Sequence, residues 1–170
     1  MSALGQKVLD FAISNRGNQV EDGECWTLAE RSLEHAGATT SSDLQNVART
    51  VNYVWGDRIE AREAEPGDII QFYDGFHYIR KVIQPNGDWQ TDPPMIVRTH
   101  HTAIVEKVID RGRRMLIIEQ NSPPGSMVGS RECYFLTYSF PESGASVEIT
   151  IKKKAYFYRP RPRGQARRRR

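Results

Sequence analysis

Two cysteines in a chain of 170 residues are too few for a disulfide framework. With four histidines they form no Cys-x-x-Cys or His-x-x-x-His spacing, so no structural zinc site is expected, and no metal or cofactor. No window of eighteen apolar residues exists, which excludes a transmembrane helix. The first residues, Met1-Ser2-Ala3-Leu4-Gly5-Gln6-Lys7, lack the apolar stretch and cleavage site of a secretory signal. The expectation is a cytoplasmic protein, one exported by a route that needs no such signal, or one whose signal is not in this chain. No internal repeat is visible. Acid is missing from the last twelve residues, which hold seven of the 24 Lys and Arg side chains. The remainder carries 17 basic against 21 acidic residues, so the overall pI of 8.9 describes the tail more than the body.

What is present is enough for one domain with its own core: 3 Trp, 7 Tyr, 6 Phe and 38% hydrophobic residues. Leu4, Val8, Phe11 and Ala12 recur at helical spacing and predict a helix over 4–15, ended by Gly17 and Asn18. Trp26, Ala29, Leu33 and Ala36 predict a second over 25–36, with Gly37 as its stop. Residues 38–46 read as loop; 47–64 fit a short helix or an extended excursion equally. At Pro66-Gly67-Asp68 the texture changes. Strands are expected at 69–73, 78–83, 102–108, 115–119, 134–139, 147–151 and 155–158, separated by Gly, Pro and Asn turns. Helices first and strands later predict an α+β fold with a mostly antiparallel, partly barrel-like sheet. The stretch 75–98 is long for a hairpin and reads as an exposed twisted ribbon or a substrate-side insertion.

Cys25 stands where the second helix begins. The free amides and positive dipole end of a helix favour an anion, and the thiolate is the attacking form of cysteine. His100-His101 open an apolar strand in which His101, Ala103 and Val105 share one face and His100, Thr102 and Ile104 the other. Glu119 and Asn121 end the next strand, two residues apart. Taken singly, each has a plain structural reading: a packed thiol, a strand histidine, a polar strand end. Together they supply a nucleophile, a base and an orienting group, the parts covalent catalysis needs. Either histidine fits the base. Trp26 reads as core packing, Cys133 as a packing residue at the start of a strand, and Gln6 and Gln71 as solvent-facing.

The runs Gly23-Glu24-Cys25-Trp26, Pro66-Gly67-Asp68-Ile69-Ile70-Gln71-Phe72, His101-Thr102-Ala103-Ile104-Val105 and Glu119-Gln120-Asn121 resemble the CHAP family, the cysteine, histidine-dependent amidohydrolases and peptidases. The resemblance covers about residues 5–122. It implies a papain-like fold with Cys25 as nucleophile, His101 as base, Glu119 as orienting carboxylate and Asn121 assisting. It also implies an oxyanion hole that uses the Cys25 amide. The activity implied is amide hydrolysis through an acyl-enzyme, on a peptide or amide substrate such as peptidoglycan. Acyl transfer at the same site is one alternative; a non-catalytic papain-like binding scaffold is another. The expected organisation is a domain over 1–160 and a disordered basic tail over 161–170, suited to an anionic polymer. The protein is expected to be a monomer.

Overall fold

The computed structural model describes residues 1–44, 53–92, 95–96 and 99–164, with only the backbone for 93–98 where it is described. Helix α1 runs Ala3–Ser14. Ser2 caps it by accepting the Gly5 amide at 3.0 Å, and Val8, Leu9 and Ala12 form its buried stripe. Helix α2 is Cys25–Ala36, and it buries Leu28, Ala29 and Leu33 against α1 and the sheet. Gly37 ends it in the left-handed conformation. The Gly37 amide bonds to Glu34 O and the Ala38 amide to Leu33 O, a Schellman stop.

The strands are β1 Asp57–Ile59, β2 Ile69–Phe72, β3 His77–Ile83, β4 Trp89–Thr91, β5 Met95–Ile96 and β6 Thr102–Val108. They continue with β7 Arg114–Glu119, β8 Gly129–Tyr134, β9 Tyr138–Glu142, β10 Ala145–Lys152 and β11 Ala155–Arg159. A short 3-10 turn, Ala61–Glu63, follows β1. Among the described residues the strands form two antiparallel sheets, not one partly barrel-like sheet. The first has order β1-β11-β2-β6-β7-β8; the second has order β4-β3-β10-β9, with β5 also on β3.

The first sheet is buried on both faces. Ile69, Ile104 and Ile118 meet the helices, while Ile70, Phe72, Ala103, Val105, Ile117 and Cys133 form a second core with Phe76, Phe135 and Phe157. The α+β class and the N-terminal helices stand as expected. The strand expected over 134–139 is two: β8 leaves the first sheet at Tyr134 and β9 joins the second at Tyr138. Between them the Phe135 amide bonds to Arg113 O. Tyr-Phe-Leu read as one apolar strand because both sheets bury aromatics there. Cys133 accordingly lies near the end of a strand rather than at its start. From the stretch 75–98, β3, β4 and β5 belong to the second sheet. Of the undecided stretch 47–64, Asp57–Ile59 becomes β1 and Ala61–Glu63 the 3-10 turn, while residues 45–52 lie outside the described ones.

The Pro66-Gly67-Asp68 turn docks directly on α1. A Cβ on Gly67 would sit 2.0 Å from Gly5 O, and Gly67 has φ 89°, so side chains are excluded on two counts. Asp68 accepts from the Glu65 amide and from both Arg159 Nε and Nη2, tying the turn to the last strand.

Within the expected tail, Arg161, Pro162 and Arg163 pair with the residues that follow α2. Pro162 bridges Ala38, Arg161 O accepts the Thr39 amide at 2.8 Å, and the Arg163 amide bonds to Gly37 O at 3.0 Å. Arg163 also grips both oxygens of Asp43 at 2.9 Å. Backbone pairing needs no apolar side chain, which is why an Arg-Pro run can be held without a hydrophobic signal. The terminal arginine run, 165–170, lies outside the described residues.

Candidate active site

Cys25 is the first residue of α2, half-buried, with the helix amides behind it. The Thr27 amide is the first to find an intrahelical acceptor, Glu24 O, so those of Cys25 and Trp26 precede the ladder. The N-cap side chain, Glu24, makes no capping bond; it accepts Asn121 Nδ2 at 2.9 Å instead. Gln120 holds the turn in front of the helix: its Nε2 donates to Glu24 O at 2.7 Å and to Val20 O, and its Oε1 accepts the Val20 amide.

His101 sits just before β6 and is 1% exposed. Its Nε2 lies 2.7 Å from Glu119 Oε2, and its ring stacks on Phe72 at 5.7 Å between centroids. The preceding residue, His100, has φ 57°, a left-handed kink that turns the chain into the strand. Gln71 pins the His101 backbone. It donates to His101 O at 3.2 Å and to Phe72 O, while its Oε1 accepts from Trp55 Nε1 and Thr102 Oγ1.

With Nε2 committed to Glu119, the buried Nδ1 is the edge left for Cys25. Thiol and ring interact strongly, yet the contact falls short of hydrogen-bond geometry. The Cys25 thiol leans toward His100 O at 4.0 Å. Burial pushes the Cys25 thiol up, but the hydrogen-bonding and charge interaction with His101 outweighs it and the net shift is downward. Burial pushes His101 down, and Cys25 and Glu119 together raise it to about 9. Glu119 is 3% exposed; burial pushes its carboxyl up, and His101 and Arg131 bring it below the ordinary value. The two shifts run in the directions that favour a thiolate beside an imidazolium.

Of the residues expected at the site, Cys25, His101 and Glu119 come together. Asn121 is close by but engaged elsewhere: with φ 63°, it donates to Glu24 and accepts the Gly125 amide through Oδ1 at 2.7 Å. His100 faces Tyr73 edge-on at 6.2 Å, and the histidine that interacts with Cys25 is His101. Trp26 packs as expected, in an aromatic group with Tyr53 and Trp55.

Three residues near the site escaped the sequence reading. Gln71, expected in solvent, is fully buried, and so is Gln120. Gln71 lies two residues from Ile69, on an apolar face, and that pattern was the available signal. Arg131 on β8 donates from Nε to Glu119 Oε1 and from Nη2 to Oε2 at 3.1 Å. Its strand alternates polar residues and gave no sign of proximity to Glu119. Among the described residues no group of three or more His, Cys, Asp or Glu side chains is placed to hold a metal ion.

Two helices on antiparallel sheets, with a cysteine opening the second helix against a histidine at the head of a strand, define a cysteine-proteinase fold. Residues 1–137 match the family model of the AIM3/BBC1 cysteine proteinase-fold domain, and the chain belongs to that family. The matched stretch ends before β9, although β11 is needed to join β1 to β2 in the first sheet. No curated protein and no solved structure gave a match.

Proposed function

We propose that this chain is a thiol-dependent amide hydrolase acting through an acyl-enzyme. The observation that carries the reading is the row Cys25–His101–Glu119, in which the imidazole is held by Glu119 on one edge and turned to the thiol on the other. His101 Nδ1 takes the thiol proton, and the Cys25 sulfur attacks a carbonyl carbon. The oxyanion forms beside the Cys25 amide at the positive end of α2. The imidazolium then returns its proton to the leaving amine as the C–N bond breaks. Water resolves the thioester with His101 again as base, releasing a carboxylic acid and the free thiol. Glu119 holds the ring and offsets its positive charge. Asn121 acts at one remove, by steadying the Glu24 side chain beside the nucleophile.

The motif order favours a narrower reading as a CHAP wall-peptide hydrolase. The family match is to a different cysteine-proteinase-fold family. We therefore place the substrate at the level of a peptide amide.

A burst experiment with p-nitrophenyl acetate tests the proposal. One equivalent of nitrophenol should appear rapidly, with an acetyl mass increment on the Cys25 peptide. Cys25→Ala should abolish both. Absence of a burst in the wild-type protein, or an acetyl group elsewhere, leaves the chain as a papain-like binding scaffold.

A further inference from the structure

Glu119 is a buried carboxylate whose two oxygens meet two cations from different strands. His101 reaches Oε2 from the head of β6, and Arg131 reaches both oxygens from β8. The pairing register explains how. Gly129 lies opposite Glu119, and Arg131 lies opposite Ile117, two residues along on the same face. Glycine leaves that space open, and the Arg131 side chain crosses it diagonally. Its side chain is 24% exposed, so the pair is shielded from water on most sides. Thiolate, imidazolium, carboxylate and guanidinium then form a row of alternating sign with no net charge.

We propose that Arg131 is a positioning residue for the thiol chemistry: its two-pronged grip keeps Glu119 ionised and oriented, so that Glu119 can hold His101 as the partner of the Cys25 thiolate. The inference rests on the reading of Cys25 and His101 as nucleophile and base. Each hydrogen-bonding cation favours the ionised form of a buried carboxylate against the cost of burial, and a second adds to the first. Once neutral, Glu119 no longer offsets the imidazolium, the imidazolium gives up its proton more easily, and the thiolate loses its counter-charge. Other ionisable groups face the same space: the Cys133 thiol from β8 and the Tyr78 hydroxyl from β3, both neutral at physiological pH because burial raises them. Neither replaces the guanidinium. From the other side, Glu24 faces Cys25 and opposes its ionisation, which makes the loss of a cation behind Glu119 harder to absorb.

The test is the pH dependence of Cys25 alkylation by iodoacetamide, read by mass spectrometry on the full chain, with Arg131→Gln, Arg131→Lys and Glu119→Gln beside the wild type. Cys133 reports folding, since it reacts only when the core opens. Arg131→Gln should move the acid limb of Cys25 alkylation upward by at least about one pH unit, a tenfold loss of thiolate below it. Arg131→Lys should recover most of that shift. If the Arg131→Gln profile overlays the wild type while Glu119→Gln moves, Arg131 is only a packing residue and the inference fails alone. If neither variant moves the limb, the nucleophile–base reading fails with it. If Arg131→Gln exposes Cys133, Arg131→Lys decides: a smaller upward shift supports the grip, and an unchanged limb overturns it.

Discussion

Cys25 and Cys133 place the same side chain in opposite surroundings within one small molecule. Cys133 is wholly buried on the inner face of β8, opposite Met115, and burial drives its thiol far up despite Arg131 on its own strand. Cys25 is also largely enclosed, and burial opposes its ionisation too, yet its net shift is downward. What separates them is a proton acceptor. His101 is raised to about 9 and lies against Cys25, and no imidazole is among the groups that shift Cys133. Burial alone makes a thiol inert; burial beside a matched imidazole makes it a nucleophile.

The largest expected effect tests that contrast directly. At pH 7 iodoacetamide should label Cys25 at least about three orders of magnitude faster than Cys133 in the folded protein, following their thiolate fractions. Equal labelling would erase the difference. Next in size is His101→Ala. Alkylation of Cys25 at pH 6 should fall about 100-fold as its acid limb returns toward an ordinary thiol near 8.5. An unmoved limb would mean that the helix terminus alone activates Cys25. Cys133→Ser should cost about 1–3 kcal/mol of stability in a urea melt, by burying a hydroxyl where a thiol packs, and leave the Cys25 profile as it is.

The smallest effect concerns stability against pH. His101, raised when folded, contributes stability that is complete below the ordinary imidazole value and lost as pH climbs through about 9. Cys25, lowered when folded, contributes stability present above the ordinary thiol value and lost as pH falls through its lowered one. Between the lowered Cys25 value and the ordinary thiol value the two contributions slope in opposite directions with pH and offset each other. The melting temperature should therefore change little between about pH 7 and 8.5 on their account. A steep slope there would show that the two groups titrate separately.

The legible part of this site was the part marked by element ends. Cys25 precedes a helical stripe, His101 opens an apolar strand, and Glu119 closes one, so each position followed from hydrophobic periodicity and turn residues. Arg131, Gln71 and Gln120 belong to the interior of a site that periodicity does not describe. Arg131 matters through a diagonal across two strands, which requires the register. Gln71 and Gln120 matter because buried backbone groups need partners. The helices were legible for the same reason as the row Cys25–His101–Glu119. The split between β8 and β9 was not, because a chain passing from one sheet to another keeps its apolar side chains covered throughout. The docking of 161–164 was hidden because it runs through main-chain atoms.

Gly5 and Gly67 carry one further consequence. The Gly5 backbone occupies the space of a Gly67 side chain, and Pro66 O crowds that of a Gly5 side chain at 2.9 Å, so neither residue can grow unless the helix and the turn move apart. The two positions thus form a single heritable unit. Among related chains they are expected to stay glycine as a pair or to change as a pair, with the seating of α1 changing alongside. A tripeptide that reads as ordinary turn chemistry is constrained from outside, by a helix laid down much earlier in the chain.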